Sequence, residues 1–276
     1  RDGGRKRHSK EDEVLPETRR KVLVEYNGRR VDLPSDTTVL RLIEVQADRT
    51  PHAIAYRWGR ISADYRELME RSCALSERFR DLGVGHGSLL PLVTEGGPGA
   101  LVAMIAAMRL GAVFVPFDSQ WPAHRIGSMM SLLRPPLVAR TGPSGPWAAG
   151  LPTLLVDHAD AARPPSAPVG RTPARVTADD LVYGFFTSGS TGEPKCALNL
   201  HRRLVNRFLY MTRRFGSGRE VVLQNSHHVF DSSIWQLLWP LTKGGEVVLP
   251  RRRGILDLES TIGEVERHRV TMTDFV

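Results

Sequence analysis

The chain has 276 residues, 41% hydrophobic, 7% aromatic and 25% charged, with 25 Gly and 19 Pro. This excludes disorder, collagen and coiled coil as descriptions of the whole, and at ~100–200 residues per domain it allows one large domain or two small ones. The net charge of +8 does not define a nucleic-acid surface: residues 1–30 alone hold ten basic and six acidic side chains, and the tight basic run Arg251 to Arg253 has no interleaved aromatics.

The chain opens on Arg1, with no leading Met and no apolar start, so it reads as beginning inside a longer polypeptide. Residues 1–34 read as a linker and 35–276 as the domain proper. Within the linker, Lys21 to Glu25 is a short apolar alternation and Asn27-Gly28 a turn signal. The spacing of Val39, Leu42, Ile43 and Ala47 predicts a helix over 38–48, with Ser35 or Asp36 as its cap and Thr50-Pro51 as its stop. Two short strands, 53–56 and 60–62, precede a long helix with Tyr65, Leu68, Leu75, Phe79 and Leu82 on one face.

Alternation follows: strand 88–93, helix 100–110, strand 112–115, helix 123–133 and strand 137–139. That order predicts an α/β fold of layered, mostly parallel sheets flanked by helices. The longest apolar stretch, Leu101 to Phe117, is broken by Arg109 and Gly111 and falls short of the ~20 residues that span a bilayer, so no membrane partner is expected. Residues 157–178, with Pro164, Pro165, Pro168 and Pro173, read as a surface loop, and Val270 to Val276 as a strand cut in progress. Cys73 and Cys196 are the only cysteines, which supports neither a disulfide framework nor a thiolate metal cluster and favours a reducing, cytoplasmic compartment.

The sharpest chemical signal is the run from Tyr183 to Lys195. An apolar strand over 181–186 enters a loop containing Thr187, Ser188, Gly189, Ser190, Thr191 and Gly192 and closing on Lys195. Glycines allow close backbone approach, successive N–H groups make an anion-binding concavity, and hydroxyls and a lysine add donors. The loop is suited to a polyphosphate, and because Glu193 follows Gly192 it is not a Walker A loop. No metal ligand set or catalytic nucleophile is assigned. Cys196 lacks an assignable His partner, and the adjacent His227 and His228 are expected to point apart.

That run resembles the phosphate-binding motif of adenylate-forming enzymes, most closely the amino-acid adenylation domains of nonribosomal peptide synthetases. The likeness extends in order along nearly the whole chain: Leu110 to Asp118, His201 to Asn206, then Phe230-Asp231-Ser232-Ser233-Ile234-Trp235 with Gly244-Gly245. Residues 17–51 are similar to the linker that joins a condensation domain to an adenylation domain. Cys196 and Arg203 depart from the family pattern, each standing where a Gly is common.

The resemblance implies a two-step reaction in which an amino acid's carboxylate attacks the α-phosphate of MgATP, and the acyl group then passes to a phosphopantetheine thiol on a carrier protein. By match, Thr187, Ser188, Gly189, Ser190, Thr191, Gly192 and Lys195 contact the triphosphate. Asp231 holds the substrate ammonium, and Ser232, Trp235 and Phe230 belong to the substrate pocket. Asp231 has a second reading as the cap of a helix over 232–241. Magnesium ligands, the ribose-binding Asp and a C-terminal lid are expected beyond Val276, so residues 1–276 alone are expected to be inactive. The alternatives are an acyl-CoA or aryl-acid ligase of the same superfamily and a non-catalytic scaffold.

Overall fold

Thr38 starts the first helix of the domain. Its Oγ1 accepts the backbone N–H of Arg41 at 3.1 Å, so α1 runs Val39–Arg49 and buries Val39, Leu40, Ile43 and Ala47. Ser35 and Asp36 were the expected caps; the hydroxyl immediately before the first turn is the one that reaches the orphan donor. The structure, a computed structural model, describes residues 17, 18, 21, 36–156, 175–188, 194–251 and 258–274. The chain divides into two units, Arg1–Ser35 and Asp36–Val276. In the first, Glu17 and Lys21 pair at 3.2 Å; the expected alternation at 21–25 and the turn at Asn27-Gly28 fall outside the described residues except for Lys21.

In the second unit, β1 (Ile54–Trp58) and β2 (Ile61–Asp64) form an antiparallel hairpin. Asp64 then opens α2 (Tyr65–Asp81) with a capping box: its carboxylate accepts the Glu67 N–H at 2.7 Å while the Glu67 carboxylate accepts the Asp64 N–H at 2.9 Å. Tyr65, Leu68, Leu75 and Phe79 are buried as their spacing predicts, whereas Leu82 lies past the last turn and is exposed.

The largest sheet has six strands in the order β6-β5-β3-β4-β7-β8. They are β3 (Leu89–Thr94), β4 (Val113–Asp118), β5 (Val138–Arg140), β6 (Thr153–Leu155), β7 (Leu181–Ser188) and β8 (Pro194–Leu200). All pairs are parallel except β7 with β8. A parallel sheet is covered on both faces, and alternate residues of its central strands divide accordingly. Leu90, Leu92 and Phe114 join one apolar cluster with α2 and α3 (Pro98–Arg109), while Val93, Val115 and Phe117 join another with α4 (Ala123–Leu133). Residues Pro98 to Met108 of α3 are all buried, the pattern of a helix enclosed by other elements.

After β8 come α5 (His201–Phe215), β9 (Val221–Leu223), α6 (Ser232–Thr242), β10 (Glu246–Leu249) and α7 (Leu258–His268). The second sheet has the order β2-β1-β10-β9, with β1, β10 and β9 parallel. Trp239 of α6 is fully buried in the cluster that joins the two sheets. Among the described residues, the segment expected as a strand at the chain end meets β9 through one parallel bridge, Met272 to Val222, with the Thr271 N–H donating to Val221 O at 2.8 Å. The α/β class, with mostly parallel layered sheets, is as the sequence indicates. Among the described residues no helix is long and apolar enough to cross a membrane.

Candidate functional site

The loop read as phosphate-binding is the connection of a β-hairpin. β7 runs to Ser188, β8 returns from Pro194, and Thr187 pairs with Lys195 in the antiparallel register. The returning strand was not foreseen: Lys195 to Leu200 carries no clean alternation of apolar and polar residues. Thr187 Oγ1 donates to the Lys195 carbonyl at 3.4 Å, and both residues are exposed at the hairpin end. Gly189, Ser190, Thr191 and Gly192, and the side chain of Ser188, lie outside the described residues.

Cys196 has a packing role here. Its backbone avoids the left-handed region, and its sulfur lies over Gly184 on the neighbouring strand, where an added Cβ would come within 2.9 Å of Sγ and 2.7 Å of the Leu198 side chain. Burial pushes the thiol up to about 11, so the reactive thiolate is suppressed near neutrality.

From the hairpin the chain passes directly into α5. The first N–H groups of that helix are satisfied from the 178–180 turn: His201 N–H donates to Asp180 O at 2.9 Å and Arg202 N–H to Ala178 O at 2.8 Å. His201 Nδ1 accepts the Val39 N–H at 3.3 Å, tying α5 to α1. Leu204, Val205, Phe208 and Met211 are buried on one face of α5, which leaves Arg203 and Arg207 on the other.

A cleft of about 910 Å³ opens between these elements. Thr187, Phe186 and Tyr183 line it from β7, Asn199 from β8, Arg203 and Arg207 from α5, and His227, Phe230 and Asp231 from the segment before α6. Its remaining wall comes from Asp118, Trp121 and Arg125, with the Arg125 guanidinium 4.6 Å above the Trp121 ring. Phe117 packs edge-on against Trp121 and Phe186, which fixes that wall. Burial, with the Asp231 carboxylate adding to it, raises the Tyr183 phenol above its ordinary value.

The motif at 230–235 divides between two environments. Asp231 stands at the head of α6, but its backbone is already helical (φ −63°, ψ −26°) and its carboxylate makes no capping bond. It is 72% exposed, and its Oδ2 lies 3.9 Å from Arg207 Nη1. Phe230 lies beside it, 61% exposed. Ser232 and Trp235 are not among the residues lining the cleft. Trp235 is buried edge-on against Trp239, and its Nε1 donates to Asp274 Oδ2 at 3.2 Å. The same carboxylate accepts from Ser226 Oγ at 3.0 Å and from Gln236 Nε2.

His227 and His228 do not point apart as expected. Their rings stack at 4.5 Å, and His227 Nε2 faces Asp118 Oδ2 at 3.0 Å. Among the described residues no group of three or more His, Cys, Asp or Glu side chains could share a metal ion. Sequence reasoning missed Arg207, the Asp118–His227 pair and Asp274. Only the first left a local signal, since Arg203 and Arg207 are four apart on the polar side of an amphipathic helix.

The end of the β7–β8 hairpin and the head of α6 thus meet at one cleft of a mostly parallel α/β domain. The chain belongs to the AMP-binding enzyme family, whose profile matches residues 43–276. It is 32% identical over 256 residues to enterobactin synthase component F of Escherichia coli O157:H7, covering 92% of this chain and 20% of that protein. Its fold is similar to the Klebsiella oxytoca NpsA N-terminal subdomain, with a TM-score of 0.75 and 26% identity, covering 86% of this chain and 61% of that one. The AMPPNP-bound nonribosomal peptide synthetase FmoA3 superposes with a TM-score of 0.80 and 26% identity, over 91% of this chain and 27% of that one. The chain thus spans only part of each protein it resembles. What it shares with them is the N-terminal subdomain of a nonribosomal peptide synthetase adenylation domain.

Proposed function

We propose that the chain is the greater part of the N-terminal subdomain of an adenylation domain that activates an amino acid with ATP. The substrate carboxylate attacks the α-phosphate, forming aminoacyl-AMP and releasing pyrophosphate, and the acyl group then passes to the phosphopantetheine thiol of a carrier-protein domain. The observation that carries this reading is that Thr187, at the end of the phosphate hairpin, and Asp231, at the head of α6, line one cleft.

In this reading Thr187, Ser188, Gly189, Ser190, Thr191, Gly192 and Lys195 are the phosphate-binding residues, because glycines, hydroxyls and one ammonium are the groups a polyphosphate needs. Asp231, free of a capping bond, offers its carboxylate to the substrate ammonium. Phe230 lies at the cleft, whereas Ser232 and Trp235, which the resemblance assigns to the substrate pocket, do not line it. By the resemblance, a magnesium ion carried with the nucleotide would take its protein ligands from elements outside this stretch of sequence, one or two carboxylates sufficing beside the phosphates. In this reading residues 1–34 link to an upstream condensation-like domain, and the enzyme works in the cytoplasm.

One observation favours a second reading, an aryl-acid substrate without an amine: Arg207 already faces Asp231. At 3.9 Å between half-exposed and exposed groups, that pair is worth about 0–1 kcal/mol, so an ammonium can displace it. Pyrophosphate exchange by the full-length enzyme against panels of amino and aryl acids separates the readings. Amino-acid-dependent exchange is expected, with residues 1–276 alone at the blank. Dependence on an aryl acid, or no exchange with any acid, would reject the proposal.

A further inference from the structure

Helix α5 presents a charged wall to the cleft. Arg203 and Arg207 are about one helical turn apart, both exposed and both on the lining. Arg207 Nη1 stands 3.9 Å from Asp231 Oδ2, and among the described residues Arg203 has no carboxylate partner. The other acidic side chain on the lining, Asp118, faces His227 at 3.0 Å. On this side of the cleft two guanidiniums stand on the lining and one of them, Arg207, faces a carboxylate.

An α-amino acid carries its ammonium and carboxylate on a single carbon, close enough to engage a carboxylate and a guanidinium that stand side by side. The four charges then alternate in sign, and every neighbouring pair attracts. An ammonium bound to Asp231 without its own carboxylate would instead meet Arg207 as a like charge at contact range. A ligand with both charges satisfies this wall better than a ligand with either alone.

We infer that Arg203 and Arg207 form a carboxylate subsite opposite Asp231, so that the cleft takes its amino acid as a zwitterion, with ammonium on Asp231 and carboxylate on the arginines. This rests on the amino-acid reading above and adds residues that it does not use. The carboxylate is either the α-carboxylate of any amino acid or the side-chain carboxylate of an acidic one; the chemistry of recognition is the same.

The experiment measures amino-acid-dependent pyrophosphate exchange by the full-length enzyme for Arg203→Gln, Arg207→Gln, Arg207→Lys and Asp231→Asn, across neutral and acidic amino acids. Losing one charged hydrogen bond should raise the amino-acid KM about tenfold in Arg207→Gln, with little change in the ATP KM. Arg207→Lys should recover part of the loss, because it keeps the charge but not the planar fork. Calorimetric titration gives a second readout: the wild type should prefer the amino acid to its amide, and Arg207→Gln should lose that preference. A loss across neutral amino acids assigns the α-carboxylate, and a loss confined to aspartate and glutamate assigns the side chain. An unchanged amino-acid KM in both Gln variants, with activation abolished in Asp231→Asn, overturns the subsite and leaves the amino-acid reading standing. An unchanged KM in all four variants overturns both.

Discussion

His201 Nδ1 accepts the backbone N–H of Val39 at 3.3 Å, joining the first turns of α5 and α1 across 162 residues of sequence. The ring is fully buried, and burial, only partly opposed by the nearby Asp180 carboxylate, lowers its pKa to about 4. An acceptor at Nδ1 requires the neutral ring, so the fold and the proton compete for the same nitrogen.

Acid should therefore unfold the domain through this residue. The unfolded imidazole takes up a proton below about pH 6.5, while the folded one resists until about 4, so the folded state loses stability as pH falls through that window. The gap corresponds to about 3 kcal/mol at full separation. His201→Gln can still accept from Val39 but cannot titrate there. Denaturant titrations at pH 7 and pH 4.5 should show a smaller difference for the variant than for the wild type, and equal differences would remove His201 as the cause.

The Gly244-Gly245 pair predicts a second stability effect. Gly244 has φ +76° at the end of α6, and a Cβ on Gly245 would lie 2.5 Å from the Glu220 carbonyl oxygen and 3.0 Å from that of Pro240. Backbone cannot rotate aside, so Gly245→Ala should cost about 1–3 kcal/mol by overpacking. A melting temperature equal to wild type would show that the β9–β10 layer has more room than these distances imply.

Much of this architecture was legible because period and punctuation agreed. The buried face of α2, the apolar run of α3 and the short strands β3 and β4 each follow from residues close in sequence. Asp231 and Thr187 were found as motif residues, and both line the cleft. What escaped was pairing over distance. Asp118 meets His227 from more than a hundred residues away, and Asp274 reaches Trp235 from the far side of α6, β10 and α7. Neither pair has a local period, because their proximity is a product of strand order alone.

Asp274 should behave as a structural clamp on α6. Its carboxylate takes hydrogen bonds from Ser226, Trp235 and Gln236, and Ser226 N–H in turn donates to Gln236 Oε1 at 2.9 Å. Asp274→Ala leaves these largely buried donors unsatisfied and should cost about 1–3 kcal/mol, with Asp274→Asn costing less. The accompanying change in tryptophan fluorescence should vanish in a Trp235→Phe background. Persistence of the change there would assign it to another indole.

The two readings of Asp231 make opposite predictions for one variant. A capping aspartate contributes about 1 kcal/mol to its helix, and its replacement acts on stability. A carboxylate facing a substrate ammonium contributes about 2–5 kcal/mol to a charged pair when one partner is truncated, and its replacement acts on activation. Here the carboxylate makes no bond to the first turn of α6, its backbone is already helical, and it is exposed beside Arg207. Asp231→Asn in the full-length enzyme should leave the melting temperature nearly unchanged, because the folded-state contact it weakens is the exposed pair with Arg207, worth about 0–1 kcal/mol. Amino-acid activation should fall by about thirtyfold to several thousandfold, and a des-amino analogue of the same acid should be handled relatively better than in the wild type. A lowered melting temperature with activation intact would return Asp231 to the helix as a cap and remove the main ground for an amino acid over other carboxylates.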